Sequence, residues 1–147
     1  MPNATETKFG DPAGRLLQTA SWTVLLRPTQ PTLGSMVLIC REPVQSFAEL
    51  SAEAYADLRG VIRGIEQVLR EFTRYERINY LMLMMVDPDV HFHVIPRYAG
   101  SRQFRDLSFP DAGWPGVPAL DAATALDGAT LDGMAALLRD AFARLPR

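Results

Sequence analysis

Strand-like patterns mark the N-terminal part of the chain from Arg15, and helical spacing takes over after residue 50. Arg15–Thr19 and Ser21–Arg27 read as extended segments. In the second of them Trp22, Val24 and Leu26 share one side, with Thr23, Leu25 and Arg27 on the other. Pro28–Gly34 holds two prolines and a glycine and is predicted to be a loop. The run Ser35–Arg41 (SMVLICR) is almost continuously apolar, which predicts a short strand buried on both faces. Gly34, just before it, is a residue type that lets the backbone turn sharply or approach a ligand closely.

A long helix follows. Tyr55, Leu58, Ile62, Ile65, Leu69 and Phe72 recur at spacings of three and four, with Val61 and Val68 widening the stripe. Ser51 is its expected N-cap, and Glu53 suits the positive end of the helix dipole. Gly60 and Gly64, one turn apart, allow close packing against a sheet or a second subunit, and equally read as tolerated glycines. Ile78–Val86 is predicted to be a strand that turns tightly through Asp87-Pro88 into Asp89–Tyr98, forming an antiparallel hairpin. Beyond Gly100 the pattern becomes irregular. Phe109–Pro118, with three prolines and Trp114, is expected to be an ordered loop or lid. Thr130 is expected to cap a final helix striped by Leu131, Met134, Leu138, Phe142 and Leu145. The fold class is α+β, and 147 residues suit a single domain over 1–147.

Composition narrows the function classes. A net charge of −2 argues against nucleic acid held by a bulk positive field, so no nucleic-acid partner is expected. Apolar runs are too short for a bilayer span and the N-terminus lacks the apolar stretch of a secretory signal. A cytoplasmic protein with no membrane partner is the expectation. Lys8 is the only lysine among 15 basic residues, a bias read as genome composition. The single cysteine, Cys40, excludes a disulfide within the chain.

Only two histidines occur, and both lie on one predicted strand, at His91 and His93. Period-two alternation puts Asp89, His91 and His93 on one face, while Val90, Phe92 and Val94 take the apolar one. Packing explains the second set but not the first. Two chemistries fit: a metal site that needs a further ligand from elsewhere, or nucleophilic attack on phosphorus by a neutral imidazole, with a neighbouring group fixing its tautomer.

The run Val90-His91-Phe92-His93-Val94-Ile95-Pro96-Arg97 resembles the active-site strand of the histidine triad superfamily, whose members carry His-x-His-x-His. Its dinucleoside polyphosphate hydrolase branch often continues with Pro-Arg. Phe9, the loop ending at Gly34, the strand MVLIC, Pro43 with Phe47-Ala48-Glu49-Leu50, the helix after Ser51 and Arg97-Tyr98-Ala99-Gly100 fall in the family's order. The resemblance covers a core of about residues 8–105, leaving a C-terminal loop and helix at 106–147. It implies a five-stranded antiparallel sheet with the long helix packed on it, and a homodimer. Registered on Pro96-Arg97, His91 matches the nucleophile and His93 the third triad histidine, while Asp89 replaces the first. Asp89 is expected to orient or polarise the site as an acceptor.

The chain also departs from the family. The Gly- and Gln-containing loop before the triad is reduced, on this register, to Val86-Asp87-Pro88. Gly34-Ser35 replaces the usual Gly-His, and Arg27 stands where many members have an Asn that contacts the ribose or base region. Arg27, Ser35, Arg97 and Arg102 are therefore the candidate substrate contacts. Trp114 and its neighbours cover the site, reach a partner subunit or pack on their own domain. The resemblance implies a hydrolase or nucleotidyl transferase acting at the α-phosphate of a nucleoside phosphate derivative, through a nucleotidyl intermediate on His91. A nucleotide-binding protein with little turnover is the alternative. No metal ligand and no cofactor are firmly implied, although a divalent metal could arrive with the substrate.

Overall fold

The computed structural model describes residues 1–146. A short helix, α1 (Ala4–Lys8), leads into strands β1 (Arg15–Gln18) and β2 (Trp22–Leu26), a two-residue strand β3 (Thr29–Gln30) and β4 (Met36–Cys40). A 3-10 turn at Phe47–Glu49 precedes α2 (Ala52–Thr73), β5 (Arg77–Leu81) and β6 (His91–Arg97). The hairpin β7 (Ser101–Phe104) and β8 (Leu107–Pro110), a two-residue β9 (Thr124–Ala125) and α3 (Gly128–Ala143) complete the order. Five strands form one antiparallel sheet in the order β1-β2-β4-β6-β5.

The alternation within each strand decides what the sheet's two faces carry. Trp22, Val24 and Leu26 of β2, Met36 and Leu38 of β4, and Val94 of β6 face the main core. There they meet Ala54, Val61, Ile65, Val68 and Leu69 of α2, with Met134, Leu138 and Phe142 of α3. Burying a side chain such as Leu38 contributes roughly 1.5–3 kcal/mol relative to leaving it in water. The Trp22 indole N–H donates to the Ala54 carbonyl at 2.8 Å, locking α2 against the sheet. On the opposite face Leu25, Val37 and Ile39 form a smaller cluster with Phe9. This second face carries the histidines.

Ser51 caps α2 as expected, its hydroxyl accepting from the Ala54 N–H at 3.0 Å. Tyr55, placed on the stripe, is instead 41% exposed, so the buried line is centred on Val61, Ile65 and Leu69. Gly64 packs against Leu145 and Phe142 of the same chain, whereas Gly60 has open space beside it. The glycine face therefore meets the C-terminal helix rather than a sheet. Gly34 does need its glycine: φ is +92°, and a Cβ there would lie 2.7 Å from Leu69 Cδ2.

Four expectations are corrected. The strand predicted to run to Val86 ends at Leu81, and a connection from Met82 to Val90 replaces the tight turn. Met84 sits at φ +52°, which an L residue in a strand cannot adopt, and Pro88 has no N–H for a ladder. The loop before the histidines is consequently not cut to three residues. It is built of apolar side chains instead, with Met85 85% and Val86 82% exposed. The chain beyond Gly100 forms the β7–β8 hairpin, whose turn places Arg105 at φ +55° without the Gly that usually signals it. Within Pro28–Gly34, β3 pairs with β9 and ties the C-terminal segment to this loop. Asp127, not Thr130, caps α3: its carboxylate accepts from the Thr130 N–H at 2.7 Å. Among the described residues no helix is long and apolar enough to cross a membrane.

Candidate active site

Strand β6 lies between β4 and β5, and the register sets His91 opposite Ile39 and His93 opposite both Val37 and Leu81. The two imidazoles are thus flanked on their own sheet face by apolar Val37 and Ile39, with Leu25 beyond Val37, and the Phe9 ring packs against both. His91 is 2% and His93 8% exposed. Their rings meet edge to face with centroids 5.2 Å apart.

His91 is oriented by the main chain. Its Nδ1 lies 2.7 Å from the carbonyl oxygen of Asp89. A carbonyl can only accept, so Nδ1 carries the proton, and Nε2 of the neutral ring holds a free lone pair. The Asp89 carboxylate does not perform the orienting role expected of it. It accepts from the Thr5 hydroxyl at 2.7 Å and the Thr5 N–H at 3.1 Å, and so is turned onto α1. Any residue at position 89 would offer the same carbonyl to His91.

His93 is held neutral. Its pKa is lowered to about 4, first by burial and next by the charge of Arg27. Its Nδ1 is buried and has no hydrogen-bond partner. Arg27 shares this lack, with buried Nε and Nη1 unpartnered. Unmade hydrogen bonds of this kind cost about 1–3 kcal/mol per group, more for a charged one. The loop that presents Arg27 is itself well satisfied. The Gln30 amide donates to the carbonyls of Arg27 (2.8 Å) and Ser35 (2.9 Å) and accepts from the Gly34 N–H at 2.7 Å.

The other predicted contacts are engaged elsewhere. The Ser35 hydroxyl donates to the Thr32 carbonyl at 2.9 Å and accepts from the Thr32 N–H at 3.2 Å, closing a buried turn. Arg97 lies on the histidine face, but Asp111 grips it through Nε at 2.7 Å and Nη2 at 3.1 Å, and Asn79 accepts from Nη1 at 2.8 Å. Arg102 stacks over Tyr98 and donates to the Thr73 carbonyl at 2.8 Å. Of the four, Arg27 alone is brought to the histidines with donors free.

One contributor escaped the sequence reading, and another, Phe9, was named there without a role. The N-terminal helix, capped reciprocally by Asn3 and Glu6, puts Thr5 on Asp89 and Lys8 on Asp87. Its signal was present as Asn-x-x-Glu, a capping-box pattern. Phe9 follows from it, since the helix ends where that ring must cover the histidines. Beside the site a cleft of about 600 Å³ is lined by Arg77, Asn79, Leu81, Arg97 and Trp114. Trp114 therefore packs at the β5–β6 edge of its own chain. Among the described residues no three His, Cys, Asp or Glu side chains are grouped to hold a metal ion. The third ligand offered by the sequence, the Asp89 carboxylate, is taken by Thr5.

No family model and no curated protein matches the sequence. Solved structures do match in fold. A histidine triad protein from Sinorhizobium meliloti superposes with a TM-score of 0.72 at 21% identity, over 95% of both chains. One from Bradyrhizobium japonicum gives 0.69 at 17% identity over 97% of both. The diadenosine triphosphate hydrolase of Plasmodium falciparum gives 0.63 at 11% identity, over 88% of this chain and 76% of its own. By these likenesses, the chain has the fold of the histidine triad proteins.

Proposed function

We propose that the protein is a nucleotide hydrolase or nucleotidyl transferase that attacks the α-phosphorus of a nucleoside phosphate derivative, dinucleoside polyphosphates among them, with His91. The observation that supports this most is the 2.7 Å contact of His91 Nδ1 with the Asp89 carbonyl, which leaves the Nε2 lone pair as the nucleophile. The Nε2–phosphorus bond forms as the bond to the leaving group breaks, and that group departs with the electron pair. Water or another acceptor then attacks phosphorus and returns the imidazole. In the hydrolytic cycle one water supplies the oxygen on the nucleotide and the proton on the leaving group. Neutral His93, packed edge-on, restrains the His91 ring without adding a competing positive charge. The fold shared with a diadenosine triphosphate hydrolase agrees with this chemistry.

Incubation with an adenosine 5′-phosphate derivative, followed by acid-free mass spectrometry, should reveal one adenylyl group on the protein. The adduct should disappear in His91→Asn. An adduct that survives the substitution removes His91 from the role. One observation favours binding with little turnover: His91 is only 2% exposed beneath Phe9. That reading predicts AMP binding with no adduct from any substrate tried.

A further inference from the structure

Most cations around the histidines already have partners. Lys8 pairs with Asp87, Arg15 with Asp11 and Arg97 with Asp111, and Arg102 is turned onto main-chain carbonyls and the Tyr98 ring. Arg27 has no such partner at Nε and Nη1, although both atoms are buried. A guanidinium stays charged even when burial lowers its pKa, as it does here. An anion from outside the protein would satisfy it.

The sheet register says where that anion would lie relative to the nucleophile. The Arg27 N–H bonds the Ser35 carbonyl, and Met36 is opposite Val94, so Arg27 lies in the row running through Ser35 toward Ile95. His93 is in the next row, about 7 Å along the strands, and His91 one repeat further, about 13–14 Å from the Arg27 row. The charge of Arg27 is felt at His93, where it is the second cause of the lowered pKa. His93 therefore stands between Arg27 and the nucleophile. Arg27 therefore stands apart from the phosphorus that His91 would attack, so an anion held on it is a different group from the one that reacts.

We propose that Arg27 receives a second anionic phosphate of the substrate, one that does not react. This rests on the nucleotidyl-transfer reading of His91 and narrows it to ligands bearing two phosphates. The second phosphate has two sources: the ribose hydroxyls, or the next position along the 5′ phosphate chain. Bidentate, charge-assisted contact with a planar guanidinium is the geometry that a phosphate satisfies and a hydroxyl does not.

Isothermal titration at fixed ionic strength decides it, using AMP, ADP, adenosine 2′,5′-bisphosphate and adenosine 3′,5′-bisphosphate. At least one two-phosphate ligand should bind the wild type about tenfold or more tightly than AMP. That ratio should fall to within about twofold in Arg27→Gln and recover in part in Arg27→Lys. Preference for ADP assigns the 5′ chain, and preference for a bisphosphate assigns the ribose. Equal binding of AMP and all three others overturns the proposal while leaving the His91 reading intact, as does a preference that persists in Arg27→Gln. Failure of all four ligands to bind overturns the nucleotide reading and this proposal with it.

Discussion

Arg27 and Arg97 occupy the same face of one sheet and have opposite surroundings. Arg97 is gripped by both oxygens of Asp111, with Asn79 taking a third donor. Asp111 also accepts from the Tyr98 N–H at 3.2 Å, which anchors the end of β6 to the segment after β8. Arg27, two strands away, leaves buried donors unmade, and its charge is felt at a neutral histidine. A satisfied buried ion pair is scaffold, and the chain gains order from it. An unsatisfied one is a cost to the free protein that only a ligand can offset.

The comparison breaks most visibly at Asp111. Asp111→Ala leaves Arg97 buried without its anion and should cost about 3–5 kcal/mol, read as a drop in the urea unfolding midpoint. A loss below about 1 kcal/mol would show that the pair is not the anchor described.

The effect of pH comes next. Burial, and next the Arg27 charge, lower the folded His93 pKa to about 4, against 6.5 for an ordinary histidine. Between those values the unfolded chain binds more protons than the folded one. Stability from this group is therefore complete above about 6.5 and is lost progressively as pH falls toward about 4. Urea midpoints measured from pH 7 to 4 should fall less steeply in His93→Gln. Parallel curves would mean that His93 is not held neutral.

The smallest change is expected at Arg27. Arg27→Gln should leave stability unchanged or raise it by up to about 1 kcal/mol, because it removes a buried charge that has no partner. In the same variant the His93 pKa should move up, measurable by NMR titration of the imidazole, since the Arg27 charge is among the causes that lower it. A loss above about 2 kcal/mol would place Arg27 with Arg97 as scaffold.

How far the sequence reached follows the range of the interactions. Period two and period 3.6 are local, so β2, β4, α2 and the strand of the two histidines were legible. Met82–Val90 was not, because a run of Leu, Met and Val has strand composition whichever way its backbone turns. The β7–β8 hairpin was hidden for a related reason: Arg105-Asp106 carries none of the usual glycine signal. Asp89 is the instructive case. Its spacing suggested a side-chain partner for His91, yet the contact is made by its carbonyl, which no residue type announces.

The sequence by itself determined that the entire imidazole content of the chain lies on one strand face, because side chains two apart in a strand must point the same way. It also determined which strands and helices have apolar faces to bury. The tertiary structure alone decided which arginine is free to meet a ligand. Arg27, Arg97 and Arg102 read alike along the chain, and their difference depends on acceptors from residues far away in sequence: Asp111 and Asn79 for Arg97, and the Thr73 carbonyl for Arg102. Hydrogen-bond satisfaction is a property of the folded chain, and it sets Arg27 apart.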